Sequence, residues 1–184
     1  MAVDELNSMF ARFHRTMRLK RAELLTWDEA RTTNLIFVGS PESNSHLRQL
    51  PPLQYFDFKS SRSEPRLGVG GIVNLHSRPG EQPLYYGSGN PFTSDYAVIA
   101  MLAGLNPGQR ILILAGTNTY GVQAAAEFTC RPDLINQLLS RLSMRRYDPI
   151  PDFEALIAVK VNDGVPVDSQ LVMVRLRRSA SVRR

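Results

Sequence analysis

Two segments of the chain share one layout, an apolar run followed by a small-residue turn and a helical pattern. The first runs from Asn34 through Leu35-Ile36-Phe37-Val38 into Gly39-Ser40-Pro41-Glu42-Ser43-Asn44. The second runs from Arg110 through Ile111-Leu112-Ile113-Leu114 into Ala115-Gly116-Thr117-Asn118-Thr119-Tyr120-Gly121. Uninterrupted apolar runs of this length suit strands buried on both faces, as in a parallel sheet covered by helices. A Gly/Ser/Thr/Asn turn after such a strand offers backbone N–H groups at the start of a helix, where α/β proteins bind small or anionic ligands. The expected fold is therefore a three-layer α/β domain, Rossmann-like or flavodoxin-like. Its mixed sheet would have central parallel strands and hairpins at its edges.

The rest of the chain supplies the surrounding elements. Leu6, Met9, Phe10, Phe13 and Met17 form one apolar stripe of a helix spanning roughly residues 4–25. Arg12, Arg15, Arg18 and Arg21 lie on its other faces. Such a helix suits a membrane surface or a partner; its simpler reading is a helix packed on the domain or a connector to a neighbouring domain. Thr26 and Glu29 have capping-box spacing. Ser40 as N-cap and Pro41 at the first position predict a helix that stops before Pro51-Pro52. Gly70–His76 and Gln82–Gly87 flank Arg78-Pro79-Gly80-Glu81, a turn sequence suited to a hairpin. Asp95–Leu102 reads as a strand whose pairing with Ile111–Ala115 is left open between hairpin and parallel. Tyr120–Cys130 and Asp133–Leu142 read as helices, and Asn162-Asp163-Gly164 joins two β-rich segments as a hairpin turn.

With 184 residues this reads as one domain, residues 26–178, with the helix or connector before it and a basic tail at 179–184. No apolar run approaches the roughly 20 residues of a membrane span. Charges at Asp4, Glu5, Arg12 and Arg15 occupy the place of a signal peptide's apolar stretch, so a cytoplasmic location is expected. The single Cys130 excludes an internal disulfide and multi-cysteine zinc sites. Residues 1–21 carry +3 and residues 173–184 carry +5, leaving −3 on the remainder of a chain whose total is +5. Basic ends can meet nucleic acid or an acidic partner. No RNA-binding aromatic motif or zinc finger accompanies these arginines, and a solvated tail is the simpler reading.

The candidate site is drawn from the two turns: Ser40, Ser43 and Asn44 from the first, Thr117, Asn118 and Thr119 from the second. Thr119 would cap its helix and leave Thr117 and Asn118 for a ligand. Both helix N-termini would favour negative charge. No Walker A or G-x-G-x-x-G sequence is present, and no cofactor is named by the chain. The expected function is a non-enzymatic sensor or interaction module for a small polar or anionic ligand, with a protein partner or neighbouring domain alongside. Two alternatives stand beside it. One is a hydrolase or transferase acting on a nucleotide, sugar or ester, with Ser40 or Ser43, a histidine such as His46 or His76, and Asp57 or Asp95 to orient it. The other is an assembly module that holds no ligand and pairs through an edge hairpin.

Asn34 to Pro41 with Ser43-Asn44, Asp95-Tyr96-Ala97-Val98, and Leu114-Ala115-Gly116-Thr117 through Gly121-Val122-Gln123-Ala124-Ala125-Ala126-Glu127-Phe128 together resemble an uncharacterised bacterial domain found at the C-terminal ends of multidomain proteins. The resemblance covers roughly residues 26–177. It implies an α/β module attached to something else and carries no catalytic residues.

Overall fold

The computed structural model describes residues 2–41, 44–60, 70–144 and 148–178. The chain opens with α1 (Ala2–Arg12) and a short α2 (Trp27–Ala30), then β1 (Leu35–Val38), β2 (Phe56–Lys59), β3 (Gly71–Asn74), β4 (Leu84–Tyr86) and the two-residue β5 (Ser88–Gly89). A long β6 (Phe92–Ala103) leads to β7 (Arg110–Gly116), α3 (Thr119–Cys130) and α4 (Pro132–Arg141). The hairpin β8 (Phe153–Asn162) and β9 (Val165–Leu176) follows.

The main sheet has the order β1-β7-β6-β8-β9, with β5 added to β6. Among the described residues only β1 and β7 pair in parallel, in the register Leu35 to Ile111 through Val38 to Leu114. β6 pairs antiparallel with both β7 and β8. A separate antiparallel sheet runs β2-β3-β4.

Period-two alternation divides the core between the two faces of the main sheet. Ala97 and Ile99 of β6, Leu114 of β7 and Ala155, Ile157 and Val159 of β8 pack against Leu6 of α1, Ala124–Ala126 and Phe128 of α3, and Leu134 and Leu138 of α4. Val98, Ala100 and Leu102 of β6, with Ile111, Ile113 and Ala115 of β7, meet Phe56, Ile72 and Tyr85 of the small sheet. The layers are helices, six-stranded sheet and three-stranded sheet.

This corrects the expected three-layer α/β, Rossmann-like or flavodoxin-like fold. Strand makes up 36% of the described residues against 27% helix, and helices do not cover both faces. The parallel pair is also not central, since β1 is an edge strand. The apolar run of β1 misleads because it is sandwiched between layers. Ile36 and Val38 join the helix-side core while Leu35 and Phe37 join the other, so an edge strand here needs the same sequence as a buried central one.

Two helices differ from expectation. α1 stops at Arg12 because His14 adopts φ 54°. The Arg15 N–H then reaches back to the Phe10 carbonyl and the His14 N–H to Ala11, both at 3.0 Å, which is a Schellman ending without glycine. Between β1 and β2 the described residues hold no α-helix; a 3-10 turn covers Ser45–Arg48. Asn44 caps the turn by accepting from the His46 N–H at 3.2 Å, the kind of local side-chain bond that favours turns over helix interiors.

Several local turns match their sequence signals. Thr26 and Glu29 form the capping box of α2. Gly80, at φ 86°, closes the β3–β4 turn with the Glu81 N–H on the Arg78 carbonyl. Asp163 and Gly164 take positive φ between β8 and β9. Among the described residues no helix is long and apolar enough to cross a membrane.

Candidate functional site

The parallel pair ends where both candidate turns begin. Gly39, at φ 130°, donates its N–H to the Leu114 carbonyl at 3.1 Å, so the first turn leaves the sheet beside the end of β7. A cleft of about 330 Å³ lies there, lined by Ser40, Pro41, Arg48, Phe58, Lys59, Ser60, Gly70, Gly116 and Thr117. Ser40 and Thr117, one from each turn, thus share a single concavity.

The other candidates are placed differently. Asn44 is buried and serves as the cap of the 3-10 turn. Asn118, rather than Thr119, caps α3; its Oδ1 accepts the Tyr120 N–H at 2.8 Å, and Thr119 is exposed. None of these three lines the cleft. Ser43 lies outside the described residues.

Thr117 is buried and already bonded. Its hydroxyl donates to Oδ1 of Asp95, which sits fully buried on β6. Oδ2 of Asp95 accepts the Gly121 N–H of α3 at 2.7 Å. Burial pushes the Asp95 carboxyl above its ordinary range, against the hydrogen bonds from Thr117, the Tyr96 backbone and Gly121. The start of α3, offered by the sequence as a ligand's anion site, is therefore filled by the protein's own side chains. Asn118 takes the Tyr120 N–H and Asp95 the next one.

The glycines of this turn serve packing. A Cβ on Gly116 would stand 2.4 Å from the Val122 nitrogen, and one on Gly121 would stand 2.6 Å from the Tyr96 carbonyl oxygen. Only glycine lets α3 lie this close to β6 and β7.

The cleft's charge comes instead from side chains that sequence patterns did not connect to it. Arg48, in the 3-10 turn, is oriented by its Nε, which donates to the Pro41 carbonyl at 2.7 Å. Lys59 ends β2, where it pairs with Gly71, and is exposed. Phe58, half-buried beside it, gives the cleft an apolar wall. No acidic side chain lines the cleft among the described residues. Lys59 carried no signal of its own; it reaches the cleft only because the small sheet folds over the large one.

Comparison with family models, curated proteins and solved structures finds no match to this chain.

Among the described residues, the histidines and carboxylates that the sequence offered for catalysis do not gather at the cleft. Neither His46 nor His76 lines the cleft. His46 packs against Trp27, with ring centroids 5.8 Å apart, and His76 stands edge-on to Tyr55. Asp57 is exposed, and Asp95 is committed to Thr117 and α3. Among the described residues no three metal-ligating side chains come together.

The basic C-terminal strand is also partly internal. Arg175 pairs with Glu81 of the β3–β4 turn, and Arg177 with the fully buried Glu154. Glu154 accepts the backbone N–H groups of Gln54 and Tyr55 at 2.7 and 2.9 Å. These pairs tie the segments around the small sheet to the large sheet, so Arg175 and Arg177 belong to the folded body. The tail at 179–184 lies outside the described residues.

Proposed function

We propose that this domain is a non-enzymatic binding module for a small anionic ligand, held in the cleft at the end of the β1–β7 pair. The observation that carries the reading is the pairing of Arg48 with Lys59 on one concavity that also presents Ser40 and Ser60. Two cations on a concave surface attract an anion more strongly than the same charges on a convex one, because the low-dielectric walls focus the field. Serine hydroxyls supply the directional hydrogen bonds that such a ligand's oxygens accept. The cleft is at the small end of ligand-site volumes, which suits a metabolite rather than a polymer. The resemblance to domains that end multidomain proteins fits a sensor whose output goes to a neighbour.

Thermal unfolding at low salt, with inorganic phosphate, pyrophosphate, citrate and neutral glucose as probes, tests this. At least one anion should raise the melting temperature in proportion to the logarithm of its concentration, and glucose should not. Arg48→Gln with Lys59→Gln should abolish the increment. Equal shifts in wild type and double variant would remove the cleft from the account.

A further inference from the structure

The chain from the last residue of α1 to the first of α2 places large apolar side chains in solvent among several arginines. Phe13 is 72% exposed, Leu19 73%, Leu24 63% and Trp27 40%. Arg12, Arg15, Arg18 and Arg21 are exposed in the same stretch. The helical stripe that the sequence suggested would have turned Phe13 toward the domain. Instead the helix ends at Arg12, well short of the expected residue 25, and Phe13 faces outward.

The stretch is nonetheless anchored. Met17 packs on the helix-side core and Leu25 on the core beneath the small sheet, so the chain passes from one face of the large sheet to the other within these residues. Lys20 and Arg18 are tied to Glu29 at the start of α2. What holds the strap in place is thus separate from what it displays. Within residues 12–29 the acidic residues are Glu23 and Asp28, both exposed, and Glu29, which is already paired.

We propose that this strap, residues 12–27, docks on an anionic lipid surface. Phe13, Leu19, Leu24 and Trp27 would enter the headgroup boundary, and Arg12, Arg15 and Arg21 would meet lipid phosphates and carboxylates. Charge complementarity carries the choice of partner. Arginines interleaved with aromatic and leucine side chains are the composition that binds an anionic interface, where each basic residue adds attraction and each apolar one partitions. The exposed apolar groups are spread along the chain from Phe13 to Trp27 and are not gathered into one short segment. That geometry suits a fluid surface, which adapts to them, better than a folded protein face, which must match their shape.

Vesicle co-sedimentation of the whole chain tests the proposal. The protein should pellet with vesicles of phosphatidylcholine mixed with phosphatidylserine, pellet weakly with phosphatidylcholine alone, and dissociate as salt is raised. Arg15→Gln with Arg21→Gln should lower partitioning roughly 30-fold, from two lost basic contacts of the usual size. Phe13→Ser with Leu19→Ser should lower it at least about tenfold. All four side chains are exposed, so both variants should keep the wild-type melting temperature. No pelleting with the mixed vesicles, equal pelleting with neutral ones, or full pelleting of either variant would overturn the proposal. So would retention on immobilised polyglutamate without vesicle binding, which would assign the arginines to an acidic protein.

Discussion

Asp95→Ala is the most informative perturbation of the fold around the cleft. The carboxylate is fully buried and accepts from the Thr117 hydroxyl and the Gly121 N–H. Alanine would leave both donors buried without a partner, at about 1–3 kcal/mol each. The variant also releases the cost of burying the carboxyl, which is large enough to raise its pKa. The difference leaves a net loss of about 2–4 kcal/mol. Asp95→Asn should cost only about 1 kcal/mol, because its oxygen can still accept from Gly121 while the Thr117 hydroxyl rotates to accept from the amide. Urea unfolding of Asp95→Ala, Thr117→Val and the double variant measures the coupling directly. The two single losses should exceed the double loss by at least about 1 kcal/mol, since both variants delete the same contact. Additive losses, or an Asp95→Ala variant within about 0.5 kcal/mol of wild type, would refute the claim that this cluster pins α3 to the sheet.

Three further outcomes follow from the packing and the ion pairs. Ile113→Ala should destabilise by about 2–5 kcal/mol in the same assay, because Ile113 is buried between β7 and the small sheet. Asn118→Ala should cost about 1 kcal/mol through the lost cap of α3. For Glu81, burial opposes ionisation but is outweighed by hydrogen bonds from the Arg78 backbone, Arg175 and Asn74, which hold its pKa at about 2. A carboxyl depressed on folding contributes stability above its ordinary pKa and loses it as the pH falls through the folded value. Wild type should therefore weaken between about pH 4.5 and 2, and Glu81→Gln should flatten that limb. Asp95 has the opposite sign. Its raised pKa means the folded state holds the proton more tightly, so its contribution falls as the pH rises out of the ordinary carboxylate range.

What the sequence made legible was local. Leu35–Val38 and Ile111–Leu114 advertise buried strands, Asn162-Asp163-Gly164 a hairpin, and Thr26 with Glu29 a capped helix, because each signal lies within one turn or one strand. Gly70–His76 and Gln82–Gly87 read as a hairpin, but the separate layer that they help to build opposite the helices was not legible. β2, β3 and β4 are three or four residues long and partly polar, and nothing within them says which sheet face they will cover. Asp95 read as the first residue of an apolar strand, or as a carboxylate to orient a histidine. Its true partners, Thr117 and Gly121, are 22 and 26 residues away and meet it only once β6 and β7 have paired. The charge ledger failed at Arg175 and Arg177 for the same reason, since Glu81 and Glu154 are distant in sequence. At the cleft, Ser40 and Thr117 were readable as strand-end residues. Arg48 and Lys59 were not, because a 3-10 turn and the end of a short strand carry no signature of convergence.

Amide NMR titration with inorganic phosphate and pyrophosphate at low salt tests the cleft residue by residue. Saturable shifts should centre on Ser40, Lys59, Ser60, Gly116 and Thr117, which lie among the residues lining the concavity, and should vanish in the Arg48→Gln, Lys59→Gln double variant. Shifts that never saturate, or that centre on the arginines of residues 12–21 and leave the Gly116 and Thr117 amides unmoved, would contradict binding at the cleft.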